Sequence, residues 1–312
     1  MKQLIRLFSA ITLLVFVACG DDDNSYNLHK SGGTTPVDTD PRQEAGPKEA
    51  KGNIEFPAIK GGDSEIIVHR CILNSKTGEE GINYSLEWDH KKKATRWVCY
   101  KMYYSISISN WSRSNWANGD PWDYDPNVPE SEQQATYSEL SKSTPPLPNS
   151  TYYQKGHILP SADRLGSKEA NGQTYYMTNI YPQVPNLNEK IWAQMENQLR
   201  TWSNKCDTLY VCKGGTIDDT KNILAYTKGG HIVPKYFYMA VLSKKGDTFK
   251  AMAFWIEHLD NTTWPAMKNY AITIQDLEKK TGIDFFCNLP DNLENEVETV
   301  SQSQMLKDWG LN

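Results

Sequence analysis

"YYQKGHILPSADR" at residues 152–164 and "MTNIYPQVPNLNEKIWAQMENQLR" at residues 177–200 decide how this chain is read. The first places one of only six histidines, His157, directly after Gly156 and two residues after Lys155. An imidazole has its unperturbed pKa near working pH and can act as a general base. Gly156 lets the backbone approach closely. Lys155 and Arg164 are candidates to hold a phosphate, and arginine can do so with two hydrogen bonds at once. The second stretch starts as a short strand ending at a proline and continues as a helix, with Ile191, Met195, Leu199 and Trp202 at helical spacing. Asn188, Trp192, Glu196 and Arg200 follow one another every fourth residue. In a regular helix the drift from Asn188 to Glu196 is roughly 80°, and the axial separation about 12 Å.

Cutting a phosphodiester needs a base to activate water, a cation to neutralise charge on the phosphoryl and leaving oxygens, and basic side chains to hold the phosphate. His157 is the candidate base. One ion does not easily bridge about 12 Å of helix, so Asn188 is expected as the direct ligand and Glu196 as a ligand through water. Magnesium suits that set, because it keeps several waters and takes few protein ligands. Manganese is the expected substitute. Singly, each residue has a plainer use. A histidine after glycine is usually structural, an asparagine near a helix start usually caps it, and Glu196 with Arg200 would be a surface ion pair. The combination is far more specific than its parts.

Together, "QKGHILPSADR" and "MTNIYPQVPNLNEKIWAQMENQLR" resemble the DNA/RNA non-specific endonuclease family of ββα-metal nucleases. That family's signature reads Asp-Arg-Gly-His with an apolar-x-Pro-x-x-Asp stretch, then Thr/Ser-Asn-x-x-Pro-Gln, then Asn-x-x-x-Trp-x-x-x-Glu. "NYSLEWDHKKKATRWVCYKM" looks like the family's first hairpin and "DLEKKTGIDFFCNLP" like its C-terminal end. The resemblance implies an α+β fold with a central antiparallel sheet flanked by helices. It also implies magnesium-dependent hydrolysis of DNA and RNA, single- or double-stranded, to products with a 5′-phosphate and a 3′-hydroxyl. By position, His157 would be the general base, Asn188 the magnesium ligand, Glu196 the residue reaching the ion through water, and Arg200 the contact to the phosphate. Asn179 would support the site's geometry. The chain departs from the signature where Gln154-Lys155 replaces Asp-Arg. Lysine keeps the charge and loses the fork, which touches rate or substrate preference more than reaction class. The alternative is a catalytically impaired surface lipoprotein that binds nucleic acid without cleaving it; strand breaks separate the two.

The bulk properties permit this. The chain has 312 residues, 38% hydrophobic, with ten Trp and seventeen Tyr, which excludes a largely disordered protein. A net charge of -5, taken alone, opposes a polyanionic partner. The acids, however, concentrate in residues 20–50 and in "DNLENEVE" at 291–298, leaving the remainder near neutral with room for a basic patch.

"MKQLIRLFSAITLLVFVACG" has a basic start, a short apolar run and a lipobox-like "VFVAC". Residues 1–19 read as a lipoprotein signal, with Cys19 as lipid anchor to a membrane. "GDDDNS" after it is similar to the acidic export signals of some surface lipoproteins, which points to the cell envelope and the outer membrane, on its outer face. Residues 20–62 read as a flexible tether, and 63–312 as one nuclease domain without internal repeats. The five remaining cysteines match no zinc spacing and suggest one or two disulfides. "SEIIVHRCIL", "TLYVCKGG" and "KYFYMAVLSKKGDTFKAMAFWI" read as strands, "NYSLEW" and "RWVCYKMYYSISI" as a hairpin about the charged turn "DHKKKA", and "NWANGDPWDYDPNVP" as a long ordered loop. Thr273 and Gly282 bracket a short helix. His231 mimics the His-x-x-Pro spacing but reads as structural, and His69, His90 and His258 stand outside any constellation. Trp111, Trp116 and Trp122 read as loop packing.

Overall fold

The structure, a computed structural model, describes residues 50–138 and 140–312. Residues 1–49, with the signal, Cys19 and most of the tether, lie outside the described residues. Long β-branched and aromatic runs become one seven-stranded antiparallel sheet in the order β1-β2-β3-β6-β9-β10-β11. Its strands are β1 (Ser64–Asn74), β2 (Glu79–Asp89), β3 (Ala94–Met102), β6 (Thr208–Gly215), β9 (Tyr236–Lys245), β10 (Thr248–Glu257) and β11 (Ala271–Ile272). Two small ribbons stand apart. One joins β4 (Gln154–His157) to β5 (Ile180–Gln183), the other β7 (Ile223–Tyr226) to β8 (Ile232–Pro234). The helices are α1 (Glu130–Ser138), α2 (Lys168–Gln173), α3 (Ala193–Ser203), α4 (Ile274–Thr281), α5 (Asp291–Glu298) and α6 (Gln302–Asp308).

Alternation along β3 divides the core. Val98 and Tyr100 face a large cluster with Ile191, Met195, Leu199 and Trp202. Trp97 and Cys99 face a second cluster with Ile274, Leu277, Phe285 and Val297. The sheet is therefore covered on both faces, as in a three-layer α+β domain. The site elements lie on the first face, and α4 and α5 on the second. Thr273 accepts a hydrogen bond from the Asp276 backbone N–H, and Gly282 ends α4 at φ 69°, as the capping pattern requires.

Four expectations are corrected. The folded part begins before residue 63: Phe56 packs edge-on against Trp97, the Ala58 N–H donates to the Asp284 carbonyl, and Asn288 Nδ2 donates to the Lys51 and Asn53 carbonyls. Few hydrophobics mark that segment, but Phe56 fills the second face. The strand through "RWVCYKM" stops at Met102, and Tyr104–Ser107 form a 3-10 turn. Pro182 lies inside β5 rather than ending it. It is tolerated because a two-stranded ribbon has open edges. Finally, all five cysteines in the described residues are free thiols. Cys99 and Cys212 are opposite one another on β3 and β6, yet both pack as small apolar groups. Cys71, Cys206 and Cys287 lie on separate elements.

Candidate active site

The β4–β5 ribbon carries the histidine. Gln154 pairs with Gln183, Gly156 with Tyr181 and His157 with Ile180. A Cβ on Gly156 would lie 2.2 Å from Gln183 Oε1, so only glycine lets the Gln183 side chain cross the strand. Asn179 fastens the turn after His157. Its Nδ2 donates to the Leu159 and Thr174 carbonyls, and its Oδ1 accepts from the Leu159 N–H. Asn179 thus touches backbone throughout. His157 is buried between Trp122 and Tyr175, each 5.1 Å away by ring centroid, and its Nε2 has no hydrogen-bond partner. Burial, helped by the charges of Arg113 and Lys213, pushes its pKa down to about 3. The imidazole is therefore neutral with one nitrogen unoccupied, though burial makes it a weaker base than a histidine whose pKa lies near working pH.

The helix begins differently from the expectation. Leu187–Trp192 form a π-helical turn before α3 takes over at Ala193. The regular α-helical spacing assumed for Asn188 fails over this half. Such turns often occur where a functional side chain is re-aimed. Asn188 Nδ2 donates to Gln154 Oε1 at 2.9 Å, and Gln154 Nε2 donates to Glu189 Oε1. With its amide nitrogen used, Asn188 keeps Oδ1 as a neutral oxygen donor. Glu196 is buried, and its Oε1 accepts from Lys213 Nζ at 2.8 Å. Burial raises the Glu196 pKa, opposed by Lys213 and Arg200. Arg200 Nη1 donates to Asp163 Oδ1 at 2.6 Å, and Tyr100 Oη donates to the other oxygen of that carboxylate.

His157, Asn188, Glu196 and Arg200 line one open cleft of about 530 Å³, joined by Arg113 and Lys190. Its acids are already engaged, Glu189 by Gln154 and Glu196 by Lys213. Three cationic side chains, Arg113, Lys190 and Arg200, line the same space, Arg113 paired with Asp120 and Arg200 with Asp163. A divalent cation fits the donors present. They comprise one amide oxygen, with a carboxylate further along the helix, and this suits an ion that retains water. Among the described residues the grouping of three metal-capable side chains is Glu278, Asp284 and Glu298, away from this cleft on the opposite face.

Two expected phosphate contacts are placed otherwise. Arg164 is buried, stacks over Tyr100, and donates to the Asn83, Lys101 and Asp163 carbonyls. It holds strands and loop together, and its guanidinium is consumed by backbone acceptors rather than offered to the cleft. Lys155 sits with Nζ 5.1 Å from the Trp122 ring, beside the wall of His157 and outside the lining of the cleft. Sequence reasoning missed Arg113, which reaches the site from the aromatic loop and bonds Asp120; no spacing singled it out. It also missed Lys213. There a signal existed, because Leu209, Val211 and Lys213 share one face of β6 and the first two are core.

Among the described residues the remaining histidines are structural, and His69 is less isolated than expected. His69 Nε2 pairs with Asp125 Oδ2 at 2.9 Å, and Thr178 donates to the same oxygen, tying β1 and the aromatic loop to the Thr178-Asn179 turn. His231 is buried against Thr136, and His258 accepts from the Val184 N–H. His90 bridges Glu65 and Glu132. Trp116 donates to Asn171 and packs on Trp111, and Trp122 walls His157, so these rings are used in packing.

A histidine ribbon facing a helix that carries Asn188 and Glu196, both laid on an antiparallel sheet, defines a ββα-metal nuclease. The chain belongs to the DNA/RNA non-specific endonuclease family, which it matches over residues 73–292. It is a nuclease of a family that works with divalent metal. It is 26% identical over 227 residues to a nuclease of Nostoc sp., covering 69% of this chain and 75% of the relative. It is 21% identical over 254 residues to the Serratia marcescens nuclease, covering 78% and 90%. Against the mitochondrial nuclease EXOG of Danio rerio the identity is 24% over 256 residues, covering 77% and 71%. Among solved structures, that of the EndoG/EndoGI complex shares the fold, with a TM-score of 0.53 at 19% identity, covering 66% of this chain and 84% of that one.

Proposed function

We propose that the protein is a magnesium-dependent, sugar-non-specific endonuclease that hydrolyses phosphodiester bonds of DNA and RNA to 5′-phosphate products, with manganese able to substitute. The observation that carries this reading is the unpartnered Nε2 of His157 in a cleft shared with Asn188, Glu196 and Arg200. His157 takes the proton from the attacking water. Asn188 would hold the ion directly through Oδ1, and Glu196 would act through water. Arg200, fixed by Asp163, meets the charge that develops on the phosphate. Arg113 adds a second cation on the same side. When bound there, a divalent ion would supply neutralisation of charge on the phosphoryl and leaving oxygens. The test incubates the protein lacking residues 1–19 with plasmid DNA and with RNA, in magnesium and in EDTA. Metal-dependent cutting of both is expected, and none of either polymer would sink the reading.

Anchorage by a lipid on Cys19, in the outer membrane and on its outer face, is proposed from the lipobox-like "VFVAC" and the acidic residues after it. Cys19→Ala should release the protein from the membrane fraction, and a variant that still sediments with membranes would argue against it.

A further inference from the structure

Lys213 is a charge on a strand face that alternation assigns to the core. Its side chain has no exposed area, and Nζ lies 2.8 Å from Glu196 Oε1 and 4.8 Å from the centroid of the Trp192 ring. An ammonium stripped of water needs an anion beside it, and Glu196 is the one with which it pairs. Trp192 and Glu196 both come from the helix that carries Asn188 and Arg200, so the lysine is wedged under the line of site residues. We propose that Lys213 is a positioning residue of the active site, a resident cation that holds Glu196 by one oxygen so that the other serves the water of the cleft. This rests on the nuclease reading above. With Oε1 committed to Lys213, Glu196 offers a divalent ion less than a free carboxylate would. The division between a direct Asn188 and a water-mediated Glu196 then follows from the pairing with β6.

The test uses the protein lacking residues 1–19 and compares Lys213→Met, Lys213→Arg, Glu196→Gln and the double variant Lys213→Met/Glu196→Gln. Plasmid cleavage is timed, and Mn2+ binding is measured by titration calorimetry without nucleic acid. Lys213→Met should cut about 10- to 100-fold more slowly, the range typical of groups that orient the residues around a metal. Its Mn2+ affinity should rise, because the released carboxylate can take the ion. Lys213→Arg should recover most of the rate. In the Glu196→Gln background, Lys213→Met should cost nothing further, since both changes remove one interaction. If the single Met variant fails to fold, the double variant, which buries no charge at this pair, is compared with Glu196→Gln alone, and a slower double variant overturns the assignment. So does an equal loss in both backgrounds, or a Lys213→Met protein with unaltered rate and Mn2+ affinity. Absence of cutting by the unaltered protein would instead overturn the nuclease reading and leave the Mn2+ comparison as the measure of Lys213.

Discussion

In the proposed mechanism His157 and Asn188 divide the work, and single substitutions separate them. His157→Ala should slow cleavage about 100-fold or more, the usual contribution of a general base, while Mn2+ binding measured by calorimetry stays. Asn188→Ala should weaken both, and Glu196→Ala should weaken metal binding less than Asn188→Ala does. If that order is reversed, the ion sits further along α3. Arg164 differs in kind. Arg164→Met strands the Asn83, Lys101 and Asp163 carbonyls that its guanidinium serves, which should cost about 2 kcal/mol or more. Thermal melts should fall by several degrees, while the KM for plasmid DNA of the surviving folded protein stays unchanged. Legibility at this scale followed exposure to the motif. That His157, Asn188, Glu196 and Arg200 would share one cleft was suggested by chemistry and spacing that are local. Arg164 was misread because a buried arginine and a phosphate-holding arginine look alike until their acceptors are known. Gln154, the departure from the family's signature, proved to be the partner that orients Asn188, a pairing across 34 positions that no local pattern encodes.

The strands of the sheet were legible because β-branched and aromatic runs between turn formers admit little else. The helix after Asn188 was legible in its apolar stripe and not in its first turn, since a π-helical insertion leaves the periodicity of Met195, Leu199 and Trp202 intact. The contact between α4 and α5 carries a separate consequence. Glu278, Asp284 and Glu298 converge there, and burial followed by repulsion from Glu278, Glu294 and Asp284 pushes the Glu298 pKa up to about 7. The fold thus holds a proton on Glu298 that the unfolded chain releases near its ordinary value of about 4.3. That contribution to stability is complete below the unfolded pKa and is lost as pH rises through about 7. Glu298→Gln should raise the melting temperature at pH 8 and leave it nearly unchanged at pH 4; equal gains at both would show that charge at this contact is not the cause.

For the molecule as a whole the buried histidines work in the opposite direction. Burial holds His157 down to about 3, and His231 and His258 to about 4. Unfolding lets each take a proton near pH 6.5. Their contribution to stability is present above that value and is lost as pH falls toward the folded values. The urea midpoint should therefore drop between pH 6.5 and 4, and a His258→Gln variant should show a shallower drop. A flat profile over that interval would mean that these imidazoles are protonated in the fold. Neither the two-faced burial of the sheet nor the packing of residues 50–62 could be read from composition, because both depend on which faces meet.

Phe56 and its neighbours fasten the start of the folded chain to the side of the sheet away from the cleft. The described chain therefore begins, at Ala50, on the back of the enzyme. A protein held by that end presents its cleft outward, toward passing polymer and away from the support. Beads coupled through an N-terminal tag should accordingly cut long DNA as fast as the free protein does, with no surface closing over the site.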